Sequence, residues 1–318
     1  VIRTVTPNPA VDVTYTLPSV RLGEVNRVRE VAEAAGGKGV NVARVLAKLG
    51  RPVTVTGFLG GATGERLSAL LATTDGVAQE WLEVAAETRR TTTVVDTHGA
   101  TVLNEPGPRL AEDAWVALAD HLASLVRAGD VVVVAGSTPP GTGADELPRL
   151  LRRLHESGAR TVVDTSGPGL LAAAAAGAHL LKPNHHELLE ATGATDVRTG
   201  AELLLGHGAG GVAVSSGEEG MLLVLPDPAG ARVWRARPAE VLSGNPTGAG
   251  DAAVAALADA LAAGTPDAPL RQQLPDRLPD VVALSGSAVL APLAGDVDLP
   301  AYQRMRAAVT VEELHAAR

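Results

Sequence analysis

The residues with the plainest capacity for chemistry are Gly244-Asn245-Pro246-Thr247-Gly248-Ala249-Gly250-Asp251-Ala252, which lead into an Ala/Leu run ending at Ala263. The run has helical composition, and Pro246 and Gly248 oppose helix before it, so Asp251 is expected in the first turn of a helix. The free N–H groups of such an end, backed by the helix dipole, bind anions. Gly248 and Gly250 carry no side chain and let a phosphate approach the backbone closely. A carboxylate beside that hole would repel a phosphate unless it had a task. The task that fits is accepting a proton from a hydroxyl that attacks the phosphate. Two plainer readings compete. An aspartate in a first helical turn is a favourable dipole partner whatever else it does. Gly248-x-Gly250-x-x-Ala253 also matches the dinucleotide-binding fingerprint, although that fingerprint ordinarily follows a strand early in its domain. This stretch alone leaves the choice open.

A second glycine turn, Gly36-Gly37-Lys38-Gly39-Val40-Asn41, opens an apolar-periodic helix that runs through Leu49 and is stopped by Gly50. It is not a Walker A loop, because Gly39 stands where Ser or Thr should follow the lysine. Lys38 and Asn41 lie about one helical turn apart and can face one polar ligand. Lys38, Lys48 and Lys182 are the only lysines; every other cation is arginine, and Lys38 and Lys182 both fall inside motifs. Lys182-Pro183-Asn184-His185-His186-Glu187 begins a helix, with Asn184 as N-cap and Glu187 as its capping-box partner. The alternative to that structural reading places Asn184 and Glu187 near a magnesium–phosphate cluster, since a hard ion can be held by few carboxylates plus water and phosphates. His186 has no second histidine at zinc-helix spacing, and no Gly-x-Ser-x-Gly elbow is present.

These motifs need elements to hold them. Ile2–Thr6 reads as a strand ended by Pro7 and Pro9, and Ala10–Tyr15 as a second, alternating strand containing Asp12. Gly23 to Glu33 reads as polar and irregular, with Arg27 and Arg29. Pro52–Gly57 reads as a strand, followed by a helix to about Ala72. Thr91–Asp96 and Ala100–Asn104 form a hairpin around His98-Gly99, with Arg89 leading into it. Helices near 111–127, 144–157, 198–207 and 249–263 then alternate with the apolar strands Val131–Ala135, Arg160–Asp164, His179–Lys182 and Gly211–Ser215. Such alternation predicts a mainly parallel sheet with helices on both faces, and ligands beyond the carboxyl ends of the strands. Gly136-Ser137, Asp164-Thr165, Lys182-Pro183-Asn184 and Ser215-Ser216-Gly217 are the polar turns at those ends. Residues 265–280 read as a proline-rich, loop-rich connection before a Val281–Leu290 helix.

The 318 residues carry a net charge of −9, 46% hydrophobic and 20% charged residues, and no cysteine. That composition is globular, gives nucleic-acid binding no electrostatic support, and removes disulfides and thiolate chemistry. Residues 1–17 carry no secretory pattern and no apolar run is long enough to span a bilayer, so no membrane partner and a cytoplasmic location are expected.

Taken together, the motifs resemble the ribokinase/PfkB family of sugar kinases over nearly the whole chain. Gly36-Gly37-Lys38-Gly39-Val40-Asn41-Val42-Ala43 is similar to the family's first signature and Pro246-Thr247-Gly248-Ala249-Gly250-Asp251 to its second. Thr6-Pro7-Asn8-Pro9-Ala10-Val11-Asp12, Leu103-Asn104-Glu105-Pro106-Gly107 and Ala135-Gly136-Ser137-Thr138-Pro139-Pro140-Gly141 resemble its phosphosugar branch, the kinases of fructose 1-phosphate, tagatose 6-phosphate and fructose 6-phosphate. The resemblance implies a ribokinase-like α/β three-layer sandwich spanning 1–318, with a small β-sheet lid from about 10–35 and 88–105 through which a homodimer forms. It implies ATP and Mg2+ as cofactors and a sugar phosphate as partner. It implies Asp251 as base, with Gly248, Ala249 and Gly250 as the anion hole. Asp12, Gly37, Lys38, Asn41, Ser137, Arg89, Asn104 and Arg27 would contact the sugar phosphate. Lys182, Asn184, Ser216, Gly217, Gly220 and Thr247 would line the ATP side, with Glu187 near the metal. Thr91-Thr92 departs from the branch's Thr-Arg-x-Asn motif, and Asn245-Pro246 from the residues commoner before the second signature.

Overall fold

Val131–Ala135 and Arg160–Asp164 are buried at every position, which is why Val131–Ala135 and the Thr161–Val163 centre of the other read as apolar or β-branched runs rather than as alternating strands. They form the middle of a large sheet in the computed structural model, which describes residues 1–228, 230–240, 242–291 and 293–314. The chain opens with β1 (Ile2–Thr6), β2 (Ala10–Thr16), β3 (Glu30–Gly36), α1 (Lys38–Lys48), β4 (Val53–Leu59), α2 (Gly61–Leu71), the short β5 (Val77–Gln79) and β6 (Leu82–Glu83), and the hairpin β7 (Arg89–Asp96) and β8 (Gly99–Asn104). Next come α3 (Glu112–Leu125), β9 (Val131–Ala135), α4 (Glu146–Glu156), β10 (Arg160–Asp164), α5 (Pro168–Ala175), β11 (Leu180–Leu181), α6 (His185–Thr192), α7 (Val197–Gly206) and β12 (Val212–Ser215). The paired strands β13 (Met221–Asp227) and β14 (Gly230–Arg237) precede α8 (Ala249–Ala263), α9 (Leu270–Gln273), α10 (Leu278–Val289), α11 (Leu299–Arg306) and β15 (Thr310–Leu314).

The large sheet runs in the order β15-β14-β13-β12-β11-β10-β9-β1-β4-β5, with β6 also on β4. From β12 to β5 every pairing is parallel; β13, β14 and β15 add an antiparallel edge. Alternate side chains of the central strands go to opposite faces. Val131, Val133 and Val162 join a core with α1, α8 and α10, whereas Val132, Val134 and Val163 join one with α3, α4, α5 and α7. The result is a three-layer α/β sandwich, as the strand–helix alternation predicts. A separate four-stranded sheet, β3-β2-β7-β8, stands on the carboxyl end of β1 and β4.

Four parts of the chain differ from the sequence expectations. Glu30–Gly36 is a strand, although its first half lies inside the stretch read as irregular; it is an edge strand exposed over Glu30–Glu33, so no buried alternation marks it. α10 begins at Leu278 rather than Val281, because Pro279 sits in the first turn, where its missing N–H costs nothing. The antiparallel edge β13 to β15 was not foreseen. Lys182 lies beyond β11, which is only Leu180–Leu181, and its side chain is therefore free to turn toward neighbouring strand ends.

Candidate active site

Asp251 is in the first turn of α8, behind Gly248 at φ +90°, a conformation that a residue with a Cβ rarely adopts. The N–H of Ala249 turns back to the Pro246 carbonyl at 3.2 Å, while those of Gly248, Gly250 and Asp251 have no hydrogen-bond partner among the described residues. Three backbone donors are thus left for an anion. A Cβ on Gly248 would lie 3.0 Å from Ala294 Cα, so the segment around Ala294–Gly295 backs the turn. The dinucleotide reading loses its context here: the turn follows an antiparallel strand and a loop, and α8 leads on to α9 and α10 rather than to a parallel strand.

The Asp251 carboxylate is buried, with 7% of the residue exposed. Burial pushes its pKa up to about 7, and the nearby Asp164 carboxylate pushes the same way. A hydrogen bond from Asn41 Nδ2 to Oδ2, at 2.8 Å, and the charges of Lys38 and Lys182 oppose the rise. Asn41 reaches Asp251 because α1 packs against α8, and Asn41 lies one turn from Lys38 on the face turned inward. The bond occupies one carboxylate oxygen, and the other accepts no hydrogen bond from any described residue.

Asp164, at the carboxyl end of β10, is the counter-ion of the site. Its Oδ1 accepts from Lys38 Nζ at 3.0 Å, and its Oδ2 is 3.9 Å from Lys182 Nζ. Lys182 is 2% exposed. Burial opposes the charge on Lys38, yet Asp164 and Glu187 outweigh it and hold its pKa above the ordinary lysine value. Lys182 also faces the anion turn: a Cβ on Gly250 would stand 3.5 Å from its Nζ. Two lysines from distant motifs are therefore carried into one place by one aspartate, which the sequence reading noted as a strand-end turn without giving it a role. Its position after an apolar strand was the available signal.

On the side of the small sheet, Asp12 stands on β2 opposite Thr91 of β7 and against Gly36, where a Cβ would collide with its carboxylate. Burial raises its pKa to about 6, against the pull of Arg89, a hydrogen bond with Thr91, and Arg44. The departure at Thr91 thus supplies a partner for Asp12. Gly37 has φ +107° and packs on Thr6 and Pro9, leaving no room for a Cβ. Arg89 donates from Nε to the Asn8 carbonyl at 3.2 Å and from Nη1 to the Glu105 carbonyl at 2.9 Å. Ser137 is exposed after β9, and its Oγ accepts from Asn8 Nδ2 at 3.4 Å. Asn104 is exposed at the end of β8. Arg27 is exposed in the loop between β2 and β3 and bonds to no described residue, so it is not brought to this group. Arg44, one turn beyond Asn41, was not foreseen; it donates to the Ala294 carbonyl at 2.9 Å.

Across the α8 turn lies a cavity of about 490 Å³. Gly217, Gly220, Ala249, Gly250 and Ser215 line it, and Ser216 is not among its lining residues. Its apolar wall, Pro238, Leu242, Val282, Gly286 and Val289, comes from the loop before α8 and from α10, and no sequence motif marked it. Thr247 is exposed, with its N–H on Asn245 Oδ1. Asn184 and Glu187 form a complete capping box at α6. Glu187 Oε2 accepts from the Asn184 N–H at 2.9 Å, and Oε1 lies 3.6 Å from Lys38 Nζ. No cluster of three or more metal-binding side chains exists among the described residues. That donor set could serve a hard cation only if phosphates and water supplied most of its oxygens.

The pfkB family carbohydrate kinase model matches residues 6–271. A 1-phosphofructokinase of Xanthomonas campestris pv. campestris is 39% identical over 269 residues, covering 81% of this chain and 83% of that protein. The tagatose-6-phosphate kinase of Staphylococcus epidermidis is 30% identical over 268 residues, covering 82% and 85%. Among solved structures, the tetrameric inhibited form of phosphofructokinase-2 from Escherichia coli superposes with a TM-score of 0.85 at 31% identity, over 96% of this chain and 98% of that one.

Proposed function

We propose, because this chain belongs to the pfkB family of carbohydrate kinases, that it transfers the γ-phosphate of ATP to a hydroxyl of a ketohexose phosphate. Fructose 1-phosphate is the first candidate and tagatose 6-phosphate the second, each giving the bisphosphate, since relatives of both names match over most of the chain. The observation that carries the reading is Asp251, a buried carboxylate with a pKa of about 7 beside three unpartnered backbone N–H groups. The sugar hydroxyl forms the new O–P bond, its proton passes to the free oxygen of Asp251, and the bond to the leaving ADP breaks. A base whose pKa sits near the working pH is matched to that transfer. The N–H groups of Gly248, Gly250 and Asp251 receive the charge of the moving phosphoryl group. ATP occupies the cavity beside Gly217 and Gly220, and Lys38 and Lys182 balance phosphate charge. A magnesium ion would supply neutralisation of phosphate charge, and Glu187 is the carboxylate that would help to hold it. Asp12, Asn41, Ser137 and Arg89 hold the sugar phosphate under a lid made of the small sheet.

The lid also supports a homodimer. Leu22 is 94% and Val25 84% exposed, and Val31 and Leu103 are open as well. Such apolar surface marks an association site, and a second lid is its fitting cover. Light scattering reads the mass directly, and a monomer at assay concentration would remove the dimer. No helix among the described residues is long and apolar enough to cross a membrane.

The test is ADP release with fructose 1-phosphate, tagatose 6-phosphate, fructose 6-phosphate and the free sugars, for the wild type and Asp251→Asn. A ketohexose phosphate should be the best acceptor. The variant should lose about two orders of magnitude in kcat with ATP binding little changed. Turnover of Asp251→Asn near the wild-type rate would remove the base.

A further inference from the structure

Asn8 lies between two prolines, in the three-residue passage that joins β1 of the large sheet to β2 of the small one. It is 5% exposed, and both protons of its side-chain amide are used. One Nδ2 proton goes to the Pro106 carbonyl at 3.0 Å, just beyond the β7–β8 hairpin. The other goes to Ser137 Oγ at 3.4 Å, on the turn after β9. The Oδ1 atom presses on Gly107, whose φ is +89° and where a Cβ would collide with it. The Asn8 backbone carbonyl takes the Arg89 guanidinium at 3.2 Å, and a second Arg89 nitrogen reaches the carbonyl of Glu105, next to Pro106.

One residue thus touches the large sheet through Ser137 and the small sheet through Arg89 and Pro106. Pro7 and Pro9 restrict the backbone on either side, which limits how far the asparagine can move from either partner. Ser137 and Arg89 are the hydroxyl and the cation assigned above to the sugar phosphate, and a hydroxyl whose rotor is set by a donor presents its own proton outward. We propose that Asn8 is a positioning residue for the sugar phosphate, holding Ser137 and Arg89 in register across the joint between the two sheets. The proposal rests on the kinase reading for the identity of the ligand, but the tie itself is a property of the free protein. Ordering these groups in advance lowers the entropy lost on binding. The effect therefore belongs in sugar-phosphate affinity and not in ATP affinity.

Asn8→Ala removes both donors and keeps the backbone carbonyl. Gly107→Ala leaves Asn8 intact and pushes its side chain aside. Both variants should raise KM for the preferred ketohexose phosphate at least fivefold, with KM for ATP within twofold. Amide hydrogen exchange at 104–108 in the ligand-free protein should quicken in both. The loss caused by Ser137→Ala should shrink in the Asn8→Ala background, because the two residues act together. A fall in melting temperature with KM and exchange unchanged would reduce Asn8 to a packing residue and overturn the proposal. If the wild type binds no sugar phosphate by calorimetry, the kinase assignment falls on that result alone. Exchange at 104–108 then judges the tie: faster exchange in the variants sustains it, and unchanged exchange ends it.

Discussion

Lys38 and Asp164 are 126 residues apart in the chain and 3.0 Å apart in the fold. The same carboxylate faces Lys182 at 3.9 Å, so one aspartate at a strand end is shared by both lysines, with Glu187 as the second carboxylate beside Lys38. Asp164→Asn should leave Lys182 buried without its counter-ion, a loss of the kind worth on the order of 3 kcal/mol. It should also remove a repulsion on Asp251 and so lower the Asp251 pKa. The expected outcome is a lower unfolding midpoint in denaturant, together with an acid limb of kcat/KM displaced to lower pH. An unmoved limb would show that Asp164 does not act on the base.

The acid limb itself follows from Asp251. The carboxylate works only when unprotonated, and its pKa is raised to about 7. Activity should therefore fall about tenfold per pH unit below that value. Asn41 donates to the charged form and so lowers the pKa; Asn41→Ala should move the limb upward, opposite to Asp164→Asn. Rate profiles across pH 5 to 9 in the three proteins test the pair of signs, and shifts in the same direction would contradict the assignment of Asp251.

Glu187 caps α6, and in the proposed reading it also lies beside magnesium. In Glu187→Gln the amide oxygen still accepts from the Asn184 N–H, so the capping box persists while the charge near the phosphates is gone. The magnesium concentration for half-maximal rate should rise severalfold, with the melting temperature nearly unchanged. Glu187→Ala should add a loss of about 1 kcal/mol from the cap. A change in stability alone, in either variant, would leave Glu187 as a helix cap.

Arg89 is held by two backbone carbonyls before any ligand arrives. A guanidinium set in this way can clamp a phosphate through charge-assisted bonds. Arg89→Ala should raise KM for the phosphosugar at least tenfold, or about 1.4 kcal/mol, while KM for ATP changes much less. Added salt should raise the wild-type KM for the sugar phosphate. Better turnover of free fructose than of any sugar phosphate, with Arg89→Ala silent, would mean that no phosphate clamp exists.

Much of this molecule was written locally. The glycines before α8 and α1, the capping box at Asn184 and the apolar strands from β9 to β12 depend on neighbours within a few residues, so sequence determined the elements and the sandwich. It also placed Asp251 in a first helical turn and Lys182 after a strand. It did not mark β3 or β13 to β15, whose pairing partners or exposure leave little local pattern. Nor did it reveal that Asp164 joins Lys38 to Lys182, that Asn41 bonds the base, or that Asn8 sits where two sheets meet. Those relationships join residues far apart in the chain. Spacing along a chain carries no record of such distances; the packing of α1 on α8 and the crossing of the two sheets decided them. The pKa of Asp251 is the clearest case, because burial and the Asp164 carboxylate at the end of β10 raise it, and neither acts until the chain has folded.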